Sequence, residues 1–436
     1  MISRYSRQIM SDIWSDQSRY DIWLDIELYA HEAMEKDGLV PKGHTAKIRK
    51  KIENIKFDSE RILEIEKKTQ HDVIAFLTHL SELIGDNDAR FMHQGMTSSD
   101  ILDTCLCVQL KRASKIILNN LEELMLELKE KALKNKYLPT IGRSHGIHAE
   151  PTTIGLKFAQ AYAEFERAKN RMEQAEKEIS ICAISGSVGT YANVKPSIEE
   201  YVAKKLGLSA EVVSTQVIPR DRFAYFYSIL GIIAGSVERL ATEIRHLQRT
   251  EVGEMSEFFQ KGQKGSSSMP HKRNPVLTEN LTGISRLIRS MVIPAHENIA
   301  LWHERDISHS SVERVTAPDI TILTDFSLNR LKNVVKNLVI HESTVKLNID
   351  KLNGLIYSQR LLLALTQNGI SREKSYDIVQ KNAAISWENN KNFKDLVLKD
   401  KDVQKALSKN EVTELFSLDY HLKYVDYTFQ KVFGDK

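Results

Sequence analysis

Long stretches without proline or glycine restrict most strongly how this chain can fold. Both residues interrupt helices, and neither occurs in residues 96–138, 156–185 or 319–353. Within these stretches apolar residues recur at helical spacing, as in "LEELMLELKEKAL" at 121–133. The pattern predicts long amphipathic helices, one of them over about 98–136. No segment keeps the two-residue alternation of a strand, so we predict no sheet.

The length of the predicted helices has a consequence for the architecture. A helix over 98–136 would be about 58 Å long at 1.5 Å per residue. Such a helix cannot bury its apolar face within one compact globule, so we expect an elongated all-α bundle shared between chains. Boundaries near 97 and 350 divide the chain into an N-terminal helical domain (1–97), a central long-helix domain (98–350) and a C-terminal helical domain (351–436).

The charge and cysteine content exclude several classes of partner. The chain has 61 basic and 58 acidic residues among 436, a net charge of +3, which argues against a nucleic-acid partner but allows a small anionic ligand. Its three cysteines give neither a disulfide framework nor a metal-site spacing, and we expect no metal. The N-terminal "MISRYSRQIMSDIW" is polar, and no apolar run approaches the about 18 residues of a membrane span. We therefore expect a soluble cytoplasmic protein without a membrane partner.

Short polar segments interrupt the predicted helices and contain the candidate chemistry. They combine small or hydroxyl residues with His, Arg, Asp or Gln, which is the set that binds a small polyanion. The segments are "QHD" (70–72), "HQGMTSSD" (93–100), "TIGRSHGIHAEPTT" (140–153), "ISGSVGTY" (184–191), "STQ" (214–216), "KGQKGSSSMPHKRNP" (261–275) and "WHERDISHSSVER" (302–314).

Two of these segments leave alternatives open. Glycines around His145 and His148 predict a turn, where a histidine can act as an acid or base near neutral pH or simply bond to a nearby carbonyl. In "WHERDISHSSVER", Arg305 and Arg314 would lie about 180° apart on one continuous helix. Either this segment bends, or the two arginines serve different sites or chains, or the run is only a solvated charged face.

The segment 261–275 fits neither a P-loop nor a Ser-x-x-Lys site. Asn274 and Pro275 predict an N-cap and a first helical residue, with Glu279 inside the first two turns. The nearby cations are Lys264, Lys272 and Arg273. At such an electropositive helix start a serine would lose its proton more easily and a carboxylate could dock. A mobile loop that closes over substrate fits this composition, and a flexible surface linker is the alternative.

"GSSSMPHKRNP" resembles the signature loop of the fumarase/aspartase superfamily, whose members eliminate fumarate from succinyl-bearing substrates. With "SRYS" (3–6), "QHD", "GMTSSD", "GRSHGIHAEPTT", "STQ", "EFFQKGQKGSS" and "WHERDISHSSVER", in this order over nearly the whole chain, the sequence is similar to the bacterial adenylosuccinate lyases. The resemblance implies a three-domain all-α fold and a homotetramer with active sites built from three chains. It also implies a carbon–nitrogen lyase that releases fumarate from adenylosuccinate and from the succinyl-carboxamide ribonucleotide of purine synthesis, without metal or organic cofactor.

The resemblance implies a role for each matched position. Ser266 would be the general base and His145 the general acid. Substrate would be bound by Arg4, Tyr5, Gln70, His71, Asp72, Thr97, Ser98, Gln216, Ser267, Lys272, Asn274, Arg305, Ser310 and Arg314. Of these, Thr97, Ser98, Gln216, Lys272 and Asn274 would hold the succinyl part, whereas Arg4, Tyr5, Arg305, Ser310 and Arg314 would serve the nucleotide and its phosphate. His71 and Asp72 would flank the nucleotide and orient the acid, and Glu279 would support the helix after the loop.

The sequence departs from the family pattern at three positions and leaves two alternatives. Ser144 stands where the family more often has Thr, Gln70 where a basic residue is common, and Ser268 where Ala or Thr is usual. Three adjacent serines leave the assignment of the base open by one position. The alternatives are another fumarate-releasing lyase, such as argininosuccinate lyase, or a carboxymuconate cycloisomerase, and a helical scaffold without activity. The nucleotide motifs favour an adenylosuccinate-type substrate.

Overall fold

The computed structural model describes residues 2–53 and 55–434, and most of them lie in helices. The α-helices are α1 (Gln8–Ser11), α2 (Asp16–Lys36), α3 (His44–Ile52), α4 (Ser59–Thr69), α5 (Asp72–Ile84), α6 (Asp86–Ala89), α7 (Ser98–Lys134), α8 (Ile154–Ile179), α9 (Pro196–Leu206), α10 (Asp221–Gln248), α11 (Val276–Ser290), α12 (Val292–Glu297), α13 (Ser308–Asn337), α14 (Glu342–Asp350), α15 (Ser358–Gln367), α16 (Arg372–Asn389), α17 (Phe393–Lys399), α18 (Lys401–Ala406), α19 (Lys409–Leu415), α20 (Asp419–Leu422) and α21 (Val425–Phe433). The strands are β1 (Pro139–Ser144), β2 (Ile147–Thr153), β3 (Ile181–Cys182), β4 (Ser209–Ala210), β5 (Met255–Ser256) and β6 (Val339–Ile340), and single 3₁₀ turns occupy Ser3–Tyr5, Asp12–Trp14 and Leu355–Tyr357.

The longest helix, α7, confirms the prediction from the sequence pattern. It has 37 residues and ends two residues before the predicted limit at 136. At 1.5 Å per residue it is about 56 Å long. Helices α8, α10 and α13 have 26, 28 and 30 residues, so the all-α fold class is confirmed. In the described residues, no helix is at once long and apolar enough to pass through a lipid bilayer.

The prediction of no sheet is wrong in detail, because three small two-stranded sheets are present. Strands β1 and β2 form an antiparallel hairpin, β3 pairs with β4 in parallel, and β5 pairs with β6 antiparallel. The hairpin register shifts between Ile141 and Arg143. The shift breaks the alternation of buried and exposed side chains by which a strand is recognised in a sequence. The other four strands have two residues each, too few to produce a pattern.

Contacts between Cα atoms divide the chain into two units, each made of three segments. The first comprises Met1–Glu122, Arg167–Glu238 and Leu281–Arg330, and the second comprises Glu123–Glu166, Arg239–Asn280 and Leu331–Lys436. The divisions fall inside α7, α8, α10, α11 and α13 rather than in linkers. The three domains with boundaries near 97 and 350 therefore remain a prediction.

An aromatic cluster occupies part of the core of the first unit. The rings of Tyr20 and Phe76 stack with centroids 5.9 Å apart, and Trp23 meets Phe76 edge-on at 5.4 Å. Phe57 packs against both Tyr20 and Phe76. These rings bury large apolar areas where α2, α5 and the segment before α4 meet, and edge-on pairs add to that burial.

The second unit has its own apolar core among the short C-terminal helices. Leu361 and Leu365 of α15 pack with Phe393 and Val397 of α17 and with neighbouring apolar side chains of α16, α18 and α19. Local polar contacts set the helix starts. At α19, the Ser408 hydroxyl accepts the Glu411 N–H, and the Glu411 carboxylate accepts the Ser408 N–H, which is a capping box. The same unit contains the β1–β2 hairpin, against which α14 and α20 pack.

A chain of buried polar groups in the first unit makes stability depend on pH. His31 Nδ1 lies 2.8 Å from the Thr45 hydroxyl, and His31 Nε2 lies 3.0 Å from Nδ1 of His44. His44 Nε2 lies 3.2 Å from Asp88. Burial, together with the neighbouring His44 ring and against the carboxylates of Glu35 and Glu27, lowers the pKa of His31 from 6.5 to about 4. His31 is therefore neutral in the folded chain at pH values where the unfolded chain protonates it.

We expect acid to destabilise this protein partly through His31. Between pH 6.5 and about 4 the unfolded state binds a proton that the folded state does not, so the unfolding free energy falls as pH falls through this window. The contribution from His31 is on the order of 2 kcal/mol between pH 7 and pH 4.5. Urea unfolding of the wild type and of His31→Gln across this range measures it. Equal pH slopes for the two proteins would contradict the prediction.

Candidate active site

His145 lies at the exposed tip of the β1–β2 hairpin. Ser144 pairs with Ile147, so His145 and Gly146 are the two turn residues, and their φ angles are +54° and +80°. Positive φ at both positions is the type I′ turn that joins short hairpins, which confirms the predicted turn. His148 instead pairs with Arg143 inside the hairpin, is half-buried, and has its pKa lowered, first by burial and then by the Arg143 charge. Of the two candidate histidines, His145 is therefore the one that is presented to solvent.

The three adjacent serines differ in their surroundings. Ser266 is half-buried, and its Oγ accepts the backbone N–H groups of Ser268 at 3.3 Å and Met269 at 3.2 Å. Ser267 and Ser268 are exposed. Two N–H groups directed at one hydroxyl oxygen stabilise negative charge on it and so favour loss of its proton. This geometry distinguishes Ser266 from its neighbours in a way that the sequence alone did not.

Contacts within the segment 261–275 fix the shape of the loop around Ser266. The side-chain amide of Asn274 donates to the Gly265 carbonyl at 2.9 Å. A Cβ on Gly265 would lie 2.1 Å from the carbonyl oxygen of Lys272, so only glycine fits there. The side chains of Lys272 and Glu279 are exposed. Contacts between its two ends therefore fix the loop backbone, which carries the Ser266 hydroxyl and the Lys272 cation.

The prediction that Asn274 caps the following helix is wrong. Helix α11 begins at Val276, and the Asn274 side-chain amide is turned to Gly265 instead. The carboxylate of Glu257 accepts the N–H of Leu277 at 3.1 Å and both the N–H and the hydroxyl of Thr278, at 2.7 and 2.6 Å. The electropositive helix start was expected to bind a carboxylate, and it does so. The carboxylate is the Glu257 side chain of the same chain and not that of a ligand.

A second group of predicted residues lines a cavity of about 190 Å³ in the first unit. Four of them contribute to its wall: Asp72, Arg305, Ser310 and Arg314. Arg314 forms an ion pair with Asp72, and its Nε donates to the Ser310 hydroxyl at 3.2 Å. Arg305 donates to the Gln216 side chain at 3.2 Å, and Gln216 is also held by a bond from its N–H to the Glu304 carbonyl. The structure thus brings five predicted positions together.

The path of the chain before α13 explains how Arg305 and Arg314 reach one cavity. Helix α13 begins only at Ser308, and His303 has a left-handed φ of +47°. The segment therefore turns before the helix begins, so 302–314 is bent and is not one continuous helix. Arg305 approaches from the turn, whereas Arg314 projects from the second helical turn, and both line the cavity wall.

Four predicted positions lie at helix ends in the first unit. The His71 ring accepts the Ile74 N–H at 3.4 Å as the N-cap of α5, and its Nδ1 lies 3.5 Å from Asp72. Gln70 ends α4 in the left-handed region, and its amide donates to the Lys67 carbonyl. Thr97 and Ser98 stand at the start of α7.

The carboxylate of Asp100 fixes the backbone at the start of α7. It accepts the N–H groups of Thr97, Ser185 and Gly186, and burial raises its pKa to about 6.

Arg4 and Tyr5 are not brought into the cavity. They lie in the 3₁₀ turn Ser3–Tyr5, and the Tyr5 ring meets Phe326 edge-on with centroids 5.4 Å apart. Phe326 lies twelve residues beyond Arg314 in α13, about 18 Å along the axis. Within a single chain these two predicted positions therefore remain apart from the other nucleotide-binding candidates.

Several cavity-lining residues were not singled out by the sequence analysis. They are Trp14, Arg19, Trp23, Ser99, Asp103, Gln109, His309 and Glu313. Most of them project from regular helices, where their spacing is indistinguishable from that of a packed face. Only Ser99, His309 and Glu313 lie inside segments that were quoted for their candidate chemistry, namely "HQGMTSSD" and "WHERDISHSSVER". Over residues 2–53 and 55–434, no group of three His, Cys, Asp or Glu side chains is placed to hold a metal ion.

Comparison with known proteins places the chain in a family. The family described as Lyase matches residues 4–289, and the one described as Adenylosuccinate lyase C-terminus matches residues 354–432. The adenylosuccinate lyase of Thermotoga maritima is 50% identical over 431 residues, 99% of each chain. The chain belongs to the adenylosuccinate lyase family. The adenylosuccinate lyase of Bacillus subtilis is 49% identical over 432 residues, again 99% of each chain.

Solved structures agree with this family assignment at the level of the fold. A fumarate lyase from Mesorhizobium sp. BNC1 superposes with a TM-score of 0.91 over the whole of both chains, at 22% identity. The 3-carboxy-cis,cis-muconate lactonizing enzyme from Pseudomonas putida gives 0.89 at 26% identity, covering 98% of this chain and 96% of that one. This chain thus shares its helical fold with a fumarate lyase and a lactonizing enzyme that differ widely from it in sequence.

Proposed function

We propose that this protein cleaves adenylosuccinate to AMP and fumarate, and the succinyl-aminoimidazole-carboxamide ribonucleotide (SAICAR) to AICAR and fumarate, in purine nucleotide biosynthesis. The observation that carries the proposal is the identity of about half of all residues to adenylosuccinate lyases over 99% of the chain. The geometry of Ser266 and of the cavity around Arg314 is consistent with this chemistry. No cofactor enters the proposed reaction.

Ser266 is the base in the proposed mechanism. Its alkoxide removes a proton from the succinyl carbon next to the carbon that bears the nitrogen, and the amides of Ser268 and Met269 stabilise that alkoxide beforehand. The electron pair left on carbon spreads into the adjacent carboxylate. Lys272 and Asn274, on the same loop, supply a cation and a hydrogen-bond donor for the resulting dianion, with Ser267 binding substrate beside them.

His145 is the acid in the proposed mechanism. As the carbon–nitrogen bond breaks, its electrons move to the nitrogen of the purine or carboxamide, and His145 donates the proton that this nitrogen needs. Fumarate and the nucleotide are then the two products. The tip of a two-residue turn suits this role, because the ring projects from the hairpin instead of packing within it.

The cavity of the first unit is the proposed site for the nucleotide part. Arg305 and Arg314 supply the charge for a phosphate, and Ser310 supplies a hydroxyl. The ion pair between Arg314 and Asp72 holds the guanidinium in place until a phosphate competes for it. Thr97, Ser98 and Gln216, with His71 and Gln70, complete the set that we propose for the succinyl and nucleotide contacts.

We propose that the active sites are shared within a homotetramer. Arg4 and Tyr5 do not reach the cavity of their own chain, which is expected if they serve the cavity of another. Apolar side chains on α10, α11 and α12 support an interface between chains, because Ile232, Leu287 and Ile293 are 45%, 51% and 67% exposed in the single chain. Sedimentation of the purified protein measures the number of chains.

The substrate is tested by incubating purified protein with adenylosuccinate and, separately, with argininosuccinate. We expect equal amounts of AMP and fumarate from the first and no fumarate from the second, because a nucleotide phosphate is needed to engage the two arginines. SAICAR is expected to be cleaved as well. Absence of fumarate from adenylosuccinate would overturn the proposed function, and release from argininosuccinate would favour the alternative lyase.

A further inference from the structure

Glu254 is a fully buried carboxylate of the second unit with three donor residues, two from β1 and one from α14. Both terminal nitrogens of Arg143 donate to it, one to each oxygen, with Nη1 at 3.2 Å from Oε2. The Thr140 hydroxyl donates at 3.2 Å, and the Asn348 side-chain amide of α14 donates at 2.8 Å. Its exposed fraction is 0%, so a charge here is stabilised by these partners and not by water.

The backbone at Glu254 leads directly to the loop that contains Ser266. The Glu254 carbonyl accepts the His341 N–H at 2.9 Å, and the next residue begins β5. Glu257, three residues after Glu254, caps α11 on the far side of the loop. The segment 254–257 therefore holds both ends of the loop, and we call it the loop stem.

The side chain of Glu254 leads to the hairpin that carries His145. Arg143 lies two residues before His145 on β1, at the register shift of the hairpin. Gly142 makes this shift possible, since a Cβ there would lie 2.8 Å from the Glu150 carbonyl oxygen. Beside this shift the Arg143 side chain contacts Glu254, so one ion pair joins the hairpin to the loop stem.

We propose that Glu254 is a positioning residue for catalysis, which through Arg143 holds the His145 hairpin and, through the loop stem, the Ser266 loop in fixed relation within each chain. The proposal rests on the proposed function. It adds to that function a group that contacts no reacting atom but fixes the positions of the acid, His145, and the base, Ser266. Because a misplacement of about 1 Å can cost roughly 100-fold in rate, loss of this contact acts mainly on kcat.

The ionisation of Glu254 fits a permanent structural role. Burial alone would raise its pKa, but the hydrogen bonds and charge of Arg143, with those from Asn348 and Thr140, hold the pKa below its usual value. The carboxylate therefore stays charged throughout the neutral pH range. Replacing it with an amide removes the charge and sets an N–H₂ group against one of the donors that now surround it.

The test compares Glu254→Gln with Glu243→Gln, a matched substitution in the same unit. Glu243 of α10 pairs with Lys157 at 2.7 Å and is part of neither the hairpin nor the stem. We expect Glu254→Gln to lower kcat for adenylosuccinate by about 10- to 100-fold with KM within about threefold, and Glu243→Gln to change neither. Amide hydrogen exchange without substrate is expected to rise in 140–148 and in 257–275 only for the first variant.

The exchange measurement keeps the proposal distinct from the function on which it rests. If the wild type fails to cleave adenylosuccinate, the proposed function is wrong, whereas exchange still reports whether Glu254 holds the two segments. Unchanged exchange in both segments, or a kcat within twofold of the wild type, would overturn the positioning role. If Glu254→Gln does not fold, Arg143→Lys keeps the charge but gives up the two-nitrogen contact, and the same two readouts apply.

Discussion

Replacing either Ser266 or His145 with alanine is expected to lower kcat for adenylosuccinate by about 10²- to 10⁴-fold while the chain stays folded. Neither side chain supports the core, since Ser266 is half-buried in a loop and His145 is exposed at a turn. The double variant is expected to lose little more than the worse single variant, because an acid and a base that act on one elimination work as a unit. Steady-state kinetics of the three variants measure this.

Ser268→Ala is the matched control for the serine, since it removes a neighbouring hydroxyl but keeps the backbone N–H that Ser266 accepts. We expect it to retain kcat near the wild-type value. A Ser266→Ala enzyme with normal turnover would refute the assignment of the base. Loss of activity in Ser268→Ala alone would move that assignment two positions along the loop.

Mixing the two single variants tests whether active sites are shared between chains. If Ser266 and His145 of one site come from different chains, a hybrid assembly contains some sites with both residues intact. We therefore expect activity to reappear after the two inactive variants are dissociated and reassembled together. No recovery, in a mixture shown to contain hybrids, would mean that both residues of a site come from one chain.

The features that the sequence predicted well are those set by local rules. Helix α7 follows from the absence of proline and glycine between 96 and 138, and the turn at His145 follows from the glycines around it. The order of the motifs was enough to indicate the family. The left-handed φ of His303, by contrast, decides how Arg305 and Arg314 converge, and nothing in the local sequence requires it.

The features that the sequence missed depend on contacts between distant positions. The cap of α11 is Glu257, which lies 20 and 21 residues before the two helix N–H groups that it accepts, so Asn274 was the better candidate on local grounds. Glu254 is likewise separated from Arg143 by 111 residues. A buried carboxylate and an exposed one look alike in a sequence, and only the fold decides which partners surround them.

Asp103→Ala is expected to destabilise the protein by about 3–5 kcal/mol and to raise KM as well. Arg220, 3% exposed, donates to the two oxygens of Asp103 at 2.6 and 2.8 Å, and its Nε lies 3.0 Å from Glu313. Removing Asp103 leaves a buried guanidinium with one carboxylate. KM rises because Asp103 also accepts the Ile218 N–H, two residues from Gln216, and lines the cavity with Arg305.

Asp103→Asn is expected to be milder than Asp103→Ala, for an electrostatic reason. Burial raises the pKa of Glu313 to about 7, an effect that the Arg220 charge opposes and the Asp103 charge increases. Without the Asp103 charge, Glu313 ionises more readily and remains as the charged partner of Arg220. Thermal unfolding at fixed protein concentration ranks the variants, with Glu82→Gln, in an exposed pair with Arg61, as the control of smallest effect. If Asp103→Asn destabilises the protein as much as Asp103→Ala does, ionised Glu313 does not compensate for the lost Asp103 charge. The contacts among Asp103, Arg220 and Glu313 would then depend on their geometry and not on their total charge.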